Sequence, residues 1–178
     1  YDIGPYTFEP FKLVWKRSTK KFEACVLTTL PLHNGVEKLA VPNGNLMMIP
    51  FTDECEAHYF CALLNSSIAR SEINASICTK AHMGIIDVIS IPAFSTKIAL
   101  HRQLASLSKD AHAKAKAGCD LAAIELEVDQ CAAALWGIDD EALGRYRERV
   151  RSHGDTDEMD GETECGETPD EGQMILKA

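Results

Sequence analysis

Residues 58–92, HYFCALLNSSIARSEINASICTKAHMGIIDVISIP, decide the fold. A short helix runs into Asn65-Ser66-Ser67, residues 68–73 add a second helical piece, and a polar loop follows. The apolar run over 85–91, stopped by Pro92, reads as a strand returning to a sheet. Behind it Leu100, Leu104, Leu107, Ile124, Val128, Cys131 and Leu135 belong to a heptad-like seam of three- and four-residue steps. A continuous helix over this seam would measure about 54 Å at the α-helical rise. Gly118 followed by Asp120 offers the other solution, a glycine stop and a fresh N-cap that fold the arm into a helical hairpin. Trp136-Gly137 ends the second half, and Asp139 caps a last basic helix reaching Arg151.

Upstream, residues 11–15 (FKLVW) and 22–27 (FEACVL) are rich in aromatic and β-branched side chains around a polar, basic link. They predict a β-hairpin. Pro42-Asn43-Gly44-Asn45 is a turn between two short apolar runs, 39–41 and 46–49, which join a small, mostly antiparallel sheet. Thr52 or Asp53 caps the next helix, whose Ala57, Phe60, Cys61 and Leu64 form its buried face. The expected class is α+β. Residues 1–99 form the α/β unit, 100–151 the helical arm and 152–178 a disordered acidic tail.

The formal net charge of −9 argues against a polyanionic partner, but the charge is unevenly placed. Residues 155–172 hold nine acidic and no basic residues, leaving 18 acidic against 17 basic residues in the first 154. Within that near-neutral body, Lys12, Lys16, Arg17, Lys20 and Lys21 cluster with no acid between them. They form either a solvated hairpin or an edge that contacts phosphates. The acidic tail has too few apolar residues to offset its chain entropy by burial.

Seven cysteines, at 25, 55, 61, 78, 119, 131 and 165, are odd in number and irregular in spacing, with no Cys-x-x-Cys. That fits a reduced, cytoplasmic protein. His58 and Cys61 share a helical face without a second pair, so packing explains them better than a metal. No segment has the length and apolarity of a membrane span. The chain opens at Tyr1, inside what reads as a continuing domain, and is expected to be a fragment or partial gene product.

Four pieces in order carry a family resemblance: Gly4-Pro5-Tyr6 leading to Lys12 and Val14-Trp15; Ala62-Leu63-Leu64-Asn65-Ser66; Ile91-Pro92; and the arm segments HRQLASLSKDAH and IELEVDQCAAALWG. Over about residues 3–143 the chain resembles the C-terminal target-recognition region of type IIG restriction-modification adenine-N6 DNA methyltransferases, and is similar to type I specificity subunits. The resemblance implies duplex DNA as partner and a methyltransferase-nuclease part supplied in cis or in trans. It also implies S-adenosylmethionine as cofactor of that catalytic part, none being expected in this chain.

The chemistry of methyl transfer is missing. There is no glycine-rich turn after a strand and no Asn/Asp-Pro-Pro-Tyr/Phe motif to grip a flipped adenine. No catalytic or metal residues are assigned. Expected phosphate contacts are Lys12, Lys16, Arg17, Lys20 and Lys21. Base edges need polar groups on loops, which selects Thr79, Lys80, His82, Arg70, Asn65 and Ser66. Helix capping is the competing explanation for Asn65 and Ser66, and a core position that for Trp15. A second reading is a helical interaction or dimerisation module that pairs through the seam.

Overall fold

The computed structural model describes residues 4–31, 36–76 and 89–155. Thr79, Lys80, His82, residues 85–88 of the expected strand and the tail from residue 156 lie outside them.

The class is α+β. Strand β1 (Phe11–Lys16) pairs antiparallel with β2 (Ala24–Leu27) on one side and β5 (Leu46–Phe51) on the other, giving the order β2-β1-β5. The hairpin expected around residues 16–21 is present, with Trp15 opposite Ala24. Strands β3 (Thr29–Pro31) and β4 (Glu37–Leu39) form a separate two-stranded ribbon. The turn at Asn43 therefore links the ribbon to the main sheet rather than closing a hairpin, which corrects the single-sheet expectation. The turn brings Leu46 opposite Lys16, at the far end of β1.

Helix α1 (Glu54–Asn65) starts where Asp53 Oδ1 accepts the Glu56 N–H at 2.8 Å. Ala57, Cys61 and Leu64 pack on the sheet with Leu13, Trp15, Phe22 and Val26, as the apolar spacing requires. A second face of α1 is equally covered: Tyr59, Ala62 and Leu63 pack on the helical arm. The helix is thus central, with the sheet on one side and the arm on the other. Helix α2 (Ser67–Ser76) follows after a break at Ser66. Ser66 Oγ donates to Leu63 O at 2.7 Å and accepts the Ala69 N–H at 3.3 Å, closing one helix and opening the next.

The arm is a helical hairpin. Helix α3 (Ala99–Lys116) ends at Gly118, φ +70°, and α4 (Ala122–Trp136) ends at Gly137, φ +68°. In both ends the next amide reaches back, Cys119 N–H to Lys114 O at 3.0 Å and Ile138 N–H to Ala133 O at 2.9 Å. Glycine adopts this left-handed conformation without the Cβ penalty, which is why the arm folds back here. The seam residues Leu104, Leu107, Ile124, Val128 and Cys131 are buried against α1. Helix α5 (Asp140–Asp155), capped by Asp139 Oδ1 on the Ala142 N–H at 2.8 Å, packs on α2 and α4. It is one turn longer than expected, so residues 152–155 belong to the helix and not to a tail.

The described end of the expected return strand, residues 89–91, is not a strand. Its backbone is instead held by side chains: Trp136 Nε1 donates to Ser90 O at 3.0 Å, and Tyr59 Oη to Pro92 O at 3.0 Å. No helix among the described residues is long and apolar enough to cross a membrane.

Candidate nucleic-acid interface

Residues 17–23, between β1 and β2, form a cationic tip. Lys16, Arg17, Lys20 and Lys21 are all exposed. Thr19 shapes the turn, its Oγ1 accepting the Lys21 N–H at 3.2 Å. Lys21 has a loose ion pair with Glu23 at 3.5 Å, while Lys16 and Arg17 have no acidic partner among the described residues.

Lys12 does not belong to this tip. It lies on the central strand, fully enclosed, and its Nζ donates to Glu9 O at 2.6 Å. Burial lowers its pKa, with Glu9 opposing. A lysine turned inward cannot reach a phosphate, so Lys12 leaves the expected set.

Beside the tip runs a groove of about 710 Å³, between the β2 edge and the α3–α4 hairpin. Lys16, Lys21 and Arg70 line it along with apolar groups of β2, α3 and α4, among them Leu27, Leu121 and Ile124. The Arg70 side chain is only 13% exposed, and Glu23 lies 3.9 Å from it. Its buried Nε has no hydrogen-bond partner.

The Asn65 side chain bonds the backbone of strand β2 rather than capping its own helix. Strand β2 is an edge strand, and its outward amides, with that of Phe22 just before it, recur every second residue. Three helices take them in turn: Phe22 N–H donates to Asn74 Oδ1 at 3.0 Å, Ala24 N–H to Asn65 Oδ1 at 3.0 Å, and Val26 N–H to His112 Nε2 at 2.9 Å. Asn65 Nδ2 also donates to Ala24 O at 2.7 Å, so one amide side chain satisfies both polar groups of that residue. His112 Nδ1 donates to Ser108 O at 2.7 Å, which fixes the tautomer that leaves Nε2 as acceptor. These partners shield an edge that would otherwise template another strand. Asn65 and Ser66 are thus engaged by the chain's own backbone; Ser66 is enclosed, while Asn65 also lines the groove. Sequence reasoning missed Asn74 and His112, whose partners lie 52 and 86 residues away.

Asn65→Ala should destabilise the fold by about 2 kcal/mol, since it leaves the Ala24 N–H unpaired and its carbonyl with only the weak Cys61 thiol donor. Urea unfolding monitored by circular dichroism checks this; a change below about 0.5 kcal/mol would mean that water replaces the amide.

His58 and Cys61 are both buried in this region. His58 Nδ1 lies 3.0 Å from Ser108 Oγ, and its ring meets His112 edge-on at 4.9 Å. Burial pushes the Cys61 thiol up to about 12, and its Sγ–H points to Ala24 O at 3.5 Å. No cluster of three or more potential ligands for a metal ion occurs among the described residues. The five described cysteines are all free thiols. Trp15 is a core side chain, 5.9 Å from the Phe22 ring.

The chain matches no family model, and no match to it was found among curated proteins or solved structures.

Proposed function

We propose that this chain is a DNA sequence-recognition module of a restriction-modification type adenine-N6 methyltransferase, acting with a catalytic part in cis or in trans. The observation that supports it best is the exposed tip of Lys16, Arg17, Lys20 and Lys21 beside an open groove. Cations on a hairpin tip neutralise phosphates and set register, while polar loop residues read bases. The polar residues proposed for base reading, Thr79, Lys80 and His82, follow the end of α2 in sequence. That helix end is tied to the tip, since Asn74 bonds the Phe22 amide, so both kinds of contact would start from one side of the molecule. Arg70 in the groove wall is the further proposed contact.

S-adenosylmethionine would bind to the catalytic part. Nothing here fits it, because the chain has neither a glycine-rich turn after a strand nor a motif for a flipped adenine. The alternative, a dimer through the helical seam, draws no support from the arm, because Leu104, Leu107, Ile124 and Val128 are buried within the chain.

Four phosphate contacts would make the logarithm of affinity for duplex DNA fall with the logarithm of salt at a slope of about −3.6. Fluorescence anisotropy on labelled duplexes should give this slope for the natural chain. The fourfold variant Lys16→Glu, Arg17→Glu, Lys20→Glu, Lys21→Glu should bind at least tenfold more weakly, on the order expected for lost phosphate contacts. Equal affinity and equal slope for the two proteins would remove the tip from DNA binding.

A further inference from the structure

The end of α5 and the cationic tip are neighbours. Ser152 and His153 line one small cleft with Asn74 and Ala75 at the end of α2. Asn74 in turn bonds the Phe22 amide, next to Lys21. Residues 156–178 continue from that corner, with eight acidic residues and no basic one up to residue 172, then Met174-Ile175-Leu176. Fully extended, a segment of this length reaches about 75 Å, well beyond the dimensions of one helix end. The groove at the tip is lined by three cations, Lys16, Lys21 and Arg70, against two acids, Glu23 and Glu125, with a wall that includes Leu27, Leu121 and Ile124. Lys16 and Arg17 of the tip, without an acidic partner among the described residues, carry the excess positive charge.

We infer that the acidic C-terminal segment, residues 156–178, docks on the tip and its groove as an intramolecular competitor for the polyanion. Its regulatory consequence rests on the DNA reading above; the docking itself does not. Each charge contact at such an exposed tip is weak and salt-screened. Tethering offsets this, since a short linker holds the segment at an effective concentration in the millimolar range. Duplex DNA must displace the segment, so weakly held, non-specific DNA is rejected before a cognate site is.

Zero-length carbodiimide coupling of the full chain, mapped by mass spectrometry, reads the docking directly. Acids between 157 and 171 should couple to Lys16, Lys20 and Lys21 in preference to the exposed Lys97, Lys114 and Lys116, and about 0.5 M salt should abolish the preference. Equal coupling to all six lysines would overturn the docking. A full-length variant with Asp→Asn and Glu→Gln at the eight acidic positions then tests its consequence. Its affinity for duplex DNA should rise about tenfold, the loss of a tethered competitor. Tip-specific coupling with no DNA binding by either protein would sink the DNA reading and leave the docking standing. DNA binding at the tip that ignores the neutralised segment would sink the segment's role as competitor and leave the DNA reading standing.

Discussion

Asp129→Ala is expected to cost about 3 kcal/mol of folding stability, the scale for removing one partner of a buried charge pair. Asp129 is 5% exposed, and its carboxylate joins three helices. From α4, its Oδ1 accepts the Ser67 N–H at 2.7 Å and its Oδ2 the Ser67 Oγ–H at 2.8 Å, at the first turn of α2. Arg147 Nε, on α5, donates to Oδ2 at 2.8 Å. The negative charge also complements the partial positive charge of the α2 N-terminus. Alanine would leave the Ser67 amide without an acceptor and Arg147, whose side chain is 26% exposed, with only the long bond to Leu126 O at 3.4 Å. For a fold of this size the loss corresponds to a fall in Tm of roughly 6–12 °C. Asp129→Asn keeps the shape and part of the bonding, and should fall between. Combined with Arg147→Ala, the loss should be smaller than the sum of the two single changes, since one interaction is removed twice. A loss under 1 kcal/mol for Asp129→Ala, or strict additivity, would show that the three helices hold together without this carboxylate.

The second large effect is acid sensitivity. The His58 pKa is lowered to about 4, first by burial and then by the nearby His112 and Lys109, with Glu54 opposing. Burial also lowers the pKa of His101, whose ring stacks on Tyr59 at 4.5 Å. In the unfolded chain each takes a proton at the ordinary value, 6.5. Below that pH the unfolded state binds protons that the folded state refuses, so stability falls with pH. It is complete above the unfolded value, is lost as the pH drops toward about 4, and levels off once the folded His58 is also charged. His58 alone accounts for roughly 3 kcal/mol of this limb, from its shift at about 1.4 kcal/mol per unit. Denaturation across this range should show the loss in the natural chain. His58→Gln should be less stable at neutral pH but flatter between pH 6.5 and 4. A His58→Gln profile parallel to that of the natural chain would place the acid sensitivity elsewhere.

The sequence carries much of this fold because its local signals agree with one another. The β1–β2 hairpin follows from two aromatic and β-branched runs around a basic link. The helix starts follow from Asp53 and Asp139, whose side chains serve amides three residues on. Gly118 left two solutions open, and packing selects the hairpin, because folding back buries the seam on the second face of α1. The side chains that lock the β2 edge were not legible. Asn65, Asn74 and His112 sit in helices as ordinary polar residues, and their partners are far off in the chain. Asp129 likewise reads as one more acid on α4 until α2 and α5 close around it. Lys12 stood in a run of cations, yet it lies inside the central strand, where residues 12–15 are all buried, while Lys16 ends the strand and the other cations are on the turn. The strand expected over residues 85–91 rested on an apolar run, alternation at its end and the stop at Pro92; its described end is pinned by Trp136 and Tyr59 instead of a ladder.

The lock on β2 gives the sheet a direction of growth. With the amides of Phe22, Ala24 and Val26 each taken by a helix, no further strand can be zipped on at that side without evicting three side chains at once. The opposite border, β5, pairs only with β1 among the described residues. Any segment recruited to enlarge the sheet, from this polypeptide or another, has β5 as its landing place. A graft or fusion that must leave the architecture intact belongs at the β2 side.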